Sequence, residues 1–181
     1  MIAMIAPSVD AVNSLDAIWQ LLERIPDPEI PVVSIRELGI LRDVRRNAAG
    51  DIEVVITPTY SGCPAIGQME DDIRAALQGA DINATIVTQL APAWTTDWMT
   101  ESARDKLRSY GIAPPQHLIG HDNAAANVIR FASRSAVNTR VPCPRCASSN
   151  TTETSHFAST ACKALYKCLD CLEPFDYFKP Y

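Results

Sequence analysis

Six cysteines carry most of the chemistry this sequence offers. Four of them form two C-x2-C pairs, Cys143-Pro-Arg-Cys146 and Cys168-Leu-Asp-Cys171, with 21 residues between the pairs. Each pair is short enough to turn both sulfurs toward one ion. Two such turns, brought together by strands, complete a tetrahedral set of thiolates. The donor set favours zinc first, a single tetrahedral iron second and an iron–sulfur cluster third. A structural site of this kind contributes on the order of 10 kcal/mol to folding, which matters for a small module that cannot bury enough core alone. Turns of this type often place Gly just after the second Cys, where a positive φ is easy. Ala147 and Leu172 stand there instead. Cys162 is the fifth thiol of the module, and four ligands already fill a tetrahedron, so it reads as a packed or partly exposed thiol rather than a ligand.

The sixth cysteine, Cys63, lies in Thr57-Pro-Thr-Tyr-Ser-Gly-Cys-Pro64, between a β-patterned run and a helix-patterned run. Ile66, Met69, Ile73 and Leu77 recur at helical spacing, Pro64 suits a first turn and Gly79 suits a stop. Cys63 then falls at or next to the N-cap, where free N–H groups and the positive end of the helix dipole favour a thiolate. A small buried apolar residue is the other reading of the same cysteine, and both stay open. Asp27-Pro-Glu-Ile-Pro31 offers two carboxylates that point to one side if the segment is extended; a solvated turn between helix and strand is the plainer reading. His117 and His121 stand four apart, but the prolines before them argue against a helix that would let them share a metal.

The elements that must position these groups follow from periodicity. Ser8 can cap a first helix with the stripe Val12, Leu15, Trp19 and Leu22, ending before Pro26. Residues 32–35 and 40–46 read as strands. The turn Asn47-Ala-Ala-Gly50 joins 40–46 to 52–57 as a hairpin. After the Cys63 helix come a strand over Ile82–Leu90 and a helix near Asp97–Tyr110 that stops at Gly111. Trp94 and Trp98 read as core or interface packing. The order argues for an α+β domain over 1–112, with helices packed on one small sheet. A linker over 113–140 and a small four-cysteine zinc ribbon over 141–181 follow. The ribbon holds six of the twelve aromatics. Phe175, Tyr177 and Phe178 among them are candidates for a partner-docking patch.

Net charge is −5, so no electrostatic case exists for nucleic acid or an anionic membrane. No apolar run approaches the length that spans a bilayer, and Met1–Ala6 is too short for a signal peptide. The cysteines therefore read as thiols or metal ligands in a reducing cytoplasm.

Several motifs together resemble a known family. Asp27-Pro-Glu-Ile-Pro, Ile35-Arg-Glu-Leu-Gly39, Thr57-Pro-Thr-x-x-Gly-Cys63-Pro and Pro92-Ala-Trp94 are similar to the SufT-like domain of iron–sulfur cluster assembly. Trp94-Thr-Thr-Asp-Trp-Met-Thr100, Cys143-Pro-Arg-Cys146, Ser159-Thr-Ala-Cys-Lys-Ala-Leu-Tyr166 and Cys168-x-x-Cys-x-Glu-Pro-Phe-Asp-Tyr-Phe178 narrow it. The whole resembles the D-component family of phenylacetyl-CoA epoxidase (ring-1,2-epoxidase) systems, over nearly the full chain. Pro180 stands where that pattern often carries a further Cys. The resemblance implies an accessory, non-catalytic component in aerobic phenylacetate breakdown that helps to mature a metal-bearing partner. The implied partners are the iron–sulfur flavin reductase and the di-iron oxygenase of the system, with iron–sulfur assembly proteins beside them. Cys63 would handle iron or a cluster transiently, with Asp27, Glu29, Thr57 and Thr59 as polar support. The competing expectations are an electron-transfer or structural subunit with iron in the four-cysteine site, and a thiol enzyme that uses Cys63.

Overall fold

The computed structural model describes residues 14–116 and 141–181. Ser8, Val12, His117, His121 and most of the expected linker lie outside the described residues. Two compact units are present, Met1–Lys106 with Tyr181, and Leu107–Pro180. The sequence reading ends its first domain at 112. The units instead divide between Lys106 and Leu107, and Ile112–Ala113 belongs to the C-terminal sheet.

In the N-terminal unit, α1 (Leu15–Leu22) is capped by Ser14, whose hydroxyl accepts from the Ala17 N–H at 3.2 Å. It buries Ile18 and Leu22. The strand expected over 32–35 is absent. Only a bridge between Pro26 and Ser34 forms, because the chain doubles back on itself there. The Asp27 N–H donates to the Val33 carbonyl at 2.8 Å, while the Asp27 carboxylate takes up the N–H groups of Glu29 and Ile30 at 2.9 and 2.8 Å. With its donors satisfied locally, this segment has no need of a ladder. Asp27 and Glu29 therefore stand in a turn rather than on one side of an extended strand.

The hairpin of β1 (Leu41–Arg46) and β2 (Ile52–Ile56) is antiparallel, and the Asn47 side chain closes its turn on the N–H groups of Ala49 and Asp51. Next, α2 (Ile66–Gly79) crosses over to β3 (Ala84–Thr88), which pairs in parallel with β2 and completes a three-stranded sheet. Met69, Ile73 and Leu77 form the buried stripe of α2. A 3-10 turn over Thr96–Trp98 leads to α3 (Glu101–Tyr110). Trp94 is a core residue whose indole N–H donates to the Leu38 carbonyl at 2.9 Å. Gly39 has φ +72°, and a Cβ there would meet the Trp98 Cβ at 2.6 Å, so only glycine fits.

In the C-terminal unit the sheet order is β4 (Ile112–Ala113), β7 (Pro174–Phe178), β6 (Lys163–Cys168) and β5 (Thr151–Ser155). Its core gathers Ala113, Val141, Cys143, Ala164, Cys168, Phe175 and Tyr177, with the Tyr166 ring 5.8 Å from Phe175 and 5.4 Å from Tyr177. This corrects the expected docking patch. Phe175, Tyr177 and Phe178 are buried, because a ribbon this small needs its aromatics inside. Among the described residues the exposed large apolar side chains over 141–181 are Phe157, Leu169, Leu172 and Tyr181.

Candidate metal centre and the Cys63 loop

The two C-x2-C pairs are tight turns. The Ala147 N–H returns to the Cys143 carbonyl at 2.9 Å, and the Cys171 N–H donates to the Cys168 sulfur at 3.5 Å. The residues after the second cysteines take the left-handed conformation, Ala147 at φ 60° and Leu172 at φ 64°. Two side chains that disfavour this region occupy it at roughly 1–2 kcal/mol each, a strain that metal bonds offset.

The turns bring four sulfurs together. Cys143 Sγ lies 3.8 Å from Cys171 Sγ, Cys146 Sγ lies 3.6 Å from Cys168 Sγ, and all four fall within 4.8 Å of one another. A tetrahedron of zinc–sulfur bonds of about 2.3 Å has edges of about 3.8 Å, so the spacing matches a four-thiolate metal site. N–H groups of Cys171 and Asp170 aimed at the Cys168 sulfur lower its pKa to about 7, while desolvation and neighbouring sulfurs raise those of Cys146 and Cys171, so the crowded thiols titrate as one group. Cys162 is buried apart from this set, with its sulfur 3.0 Å from the Thr160 hydroxyl.

Cys63 sits just before α2, which begins at Ile66 rather than at Cys63. Its N–H donates to the Tyr60 carbonyl at 3.2 Å, and its own carbonyl accepts from the Ile66 N–H at 3.3 Å. The N-cap is Ala65, so Cys63 stands two residues before it rather than at or next to it; the contact of its sulfur with helix-end N–H groups, those of Ala65 and Ile66, nevertheless holds. The expected lowering of its pKa does not. Burial pushes the Cys63 thiol above its ordinary value and outweighs the two N–H groups, and the charges of Glu29 and Asp27 push it further up. The structure thus brings Asp27 and Glu29 into electrostatic reach of Cys63. Thr57 and Thr59 are buried in the loop between β2 and α2. Among the described residues the four-cysteine set is the one group of three or more His, Cys, Asp or Glu whose donor atoms converge; Asp27, Glu29 and Cys63 do not make a second.

Sequence reasoning missed the brace across the metal turns. The Asp170 carboxylate accepts from the Ser148 hydroxyl at 2.5 Å and from the Asn150 amide at 2.6 Å. Its partners lie 22 and 20 residues away, so no local pattern announces it. It also missed Glu37, which holds the Ser34 N–H, the Ser102 hydroxyl and the Lys106 ammonium.

Comparison with known proteins sets this geometry in a family. Residues 15–86 match the model described as iron-sulfur cluster assembly protein, and residues 130–179 match the PaaD zinc beta ribbon domain. Over 163 residues the chain is 50% identical to an Escherichia coli (strain K12) protein provisionally named as the D component of 1,2-phenylacetyl-CoA epoxidase, covering 90% of each. The chain belongs to the D-component family of phenylacetyl-CoA epoxidases. The family's two parts coincide with the Cys63 loop and the four-sulfur site. Outside the family, a Porphyromonas gingivalis protein called Fe-S protein maturation auxiliary factor is 33% identical over 96 residues, which is 50% of this chain and 87% of that one. A crystal structure of a domain of unknown function (DUF59) from Bacillus anthracis aligns with a TM-score of 0.46 at 27% identity, covering 51% of this chain and 89% of that one. Among the described residues no helix is long and apolar enough to cross a membrane.

Proposed function

We propose that the chain is a non-catalytic accessory component of a phenylacetyl-CoA epoxidase system that assists iron loading of a partner. The partner is the iron–sulfur flavin reductase or the di-iron oxygenase. The observation that carries this reading is a single half-buried thiol that faces helix-end N–H groups within electrostatic reach of two carboxylates, in the part of the chain that matches the iron–sulfur assembly model.

Ligand counting gives the reading its form. Residues 1–106 contain one cysteine and no histidine. An iron–sulfur cluster takes four protein ligands. Cys63 therefore supplies one coordination position, and the cargo takes its other ligands from the donor or the client. A thiol with a raised pKa stays protonated until iron arrives, and the iron displaces the proton. When a client thiol takes over the position, the proton returns to Cys63. No electron moves in either exchange. The carboxylates that oppose an empty thiolate favour the cation that neutralises it. The ion of the four-cysteine site is zinc in this reading, and it is structural.

The test is a Cys63→Ser strain. The reductase and oxygenase purified from it should carry less iron than those from wild type, and growth on phenylacetate should slow. The Cys63→Ser protein itself should keep its fold and one equivalent of zinc. Partners with full iron and full activity would reduce Cys63 to a packing residue. Iron rather than zinc in the four-cysteine site, with a redox-active visible spectrum, would instead support an electron-transfer role.

A further inference from the structure

The metal centre is not equally protected on its two sides. Cys143 and Cys168 are buried, at 2% and 0% exposure, while Cys146 and Cys171 lie at the surface. A competing ligand therefore reaches the metal from the side of Cys146 and Cys171. Asp170 stands on that second turn, between Cys168 and Cys171, and its carboxylate crosses to the first. Oδ2 accepts from the Ser148 hydroxyl and Oδ1 from the Asn150 amide. Ser148 is itself tied to a ligand, since its carbonyl accepts from the Cys143 N–H at 2.9 Å. The Asn150 carbonyl accepts from the Leu169 N–H at 2.8 Å, and the Asn150 N–H donates to the Ser148 hydroxyl at 3.0 Å. The result is a closed ring of hydrogen bonds that joins both metal turns without using a sulfur.

We propose that Asp170 is a positioning residue that latches the two cysteine turns together and sets how fast the centre exchanges its metal. Metal leaves a four-thiolate site stepwise. One metal–sulfur bond breaks as a ligand from the competitor takes its place, and the freed thiolate either rebinds or takes a proton from water. Rebinding is fast while the turns remain in register. The latch keeps them so, because Asp170 holds the first turn through Ser148 even when Cys146 or Cys171 has let go. Partners that orient metal ligands from outside the first layer typically tune affinity by about 10–100-fold.

The experiment uses the full chain loaded with zinc and, separately, with cobalt(II). Zinc release to a chromogenic chelator is timed for wild type, Asp170→Ala, Asp170→Asn and Ser148→Ala. Asp170→Ala should release zinc about tenfold faster or more. Asp170→Asn should return part of the way to the wild-type rate, because its amide oxygen still accepts one of the two bonds. The cobalt spectrum of Asp170→Ala should keep the thiolate charge-transfer and ligand-field bands of four sulfurs, since no ligand is removed. An unchanged release rate in Asp170→Ala overturns the proposal, and so does a cobalt spectrum with fewer thiolates. If Asp170→Ala fails to fold, Ser148→Ala decides, since it removes one bond and leaves the carboxylate in place. Several-fold faster release supports the latch, and a wild-type rate refutes it.

Discussion

At the scale of single residues, Cys63 shows how position and environment oppose each other. The helix end offers its sulfur two N–H groups, yet burial and the charges of Glu29 and Asp27 raise its pKa. The reactive form is the thiolate, so the sign of this shift sets reactivity. Cys63 should alkylate with iodoacetamide at about pH 7 more slowly than an ordinary thiol of pKa about 8.5, and its rate should still climb where that of the ordinary thiol has levelled off. Mass spectrometry of labelled peptides over a pH series checks this. Fast labelling at neutral pH would mean that the two helix-end N–H groups outweigh burial and the carboxylates together. Replacing Asp27 by Asn should speed the labelling of Cys63, provided the turn at Glu29 and Ile30 survives on the remaining amide oxygen.

At the scale of elements, Glu37 links the loop before β1 to α3. Its carboxylate accepts from Ser34 N–H at 3.0 Å, from the Ser102 hydroxyl at 3.0 Å and from the Lys106 ammonium at 2.7 Å. Partial burial raises the pKa of this carboxyl, but Lys106, Ser34 and Ser102 together outweigh it and hold the value below the ordinary one. A depressed carboxyl stabilises the folded state above its unfolded pKa of about 4.3, and the contribution disappears as pH falls through the folded value. Glu37→Gln should therefore cost about 1–2 kcal/mol at neutral pH and nothing in strong acid, where both proteins are uncharged at this position. Denaturant melts at several pH values read the difference. An equal cost at all pH values would mean that shape rather than charge holds α3.

At the scale of the molecule, two units rest on different physics. The N-terminal unit has an aliphatic core over a three-stranded sheet, from Ile18 on α1 to Ile73 on α2. The C-terminal unit has a core of a few aromatics and alanines together with two of its own metal ligands, Cys143 and Cys168. Its stability and its metal are therefore one quantity. Cys168→Ser should lose one equivalent of zinc and open residues 141–180 to protease, while the fragment over 14–106 persists. Cys162→Ala should keep the zinc, because that sulfur faces Thr160 and lies outside the four-sulfur set. Metal analysis beside limited proteolysis checks both, and zinc loss from Cys162→Ala would place a fifth thiol in the site.

What the sequence determined by itself is local and periodic. The spacing of Cys143, Cys146, Cys168 and Cys171 marked a metal site, and the sulfurs converge as that spacing requires. The turn at Asn47–Gly50 and the 3.6-residue stripe Met69, Ile73, Leu77 marked a hairpin and a helix, because turn chemistry and side-chain period act over a few residues. Ala147 and Leu172 were recognisable as left-handed positions from the turn alone. The tertiary structure decided what depends on distant neighbours. It buried Phe175, Tyr177 and Phe178, because a β-strand places alternate residues on opposite faces and only the fold says which faces are covered. It reversed the expected direction of the Cys63 pKa, since a pKa sums burial and charges contributed by a loop more than 30 residues upstream. It also brought Asp170 to Ser148 and Asn150, a contact between two turns that only the strands between them can align.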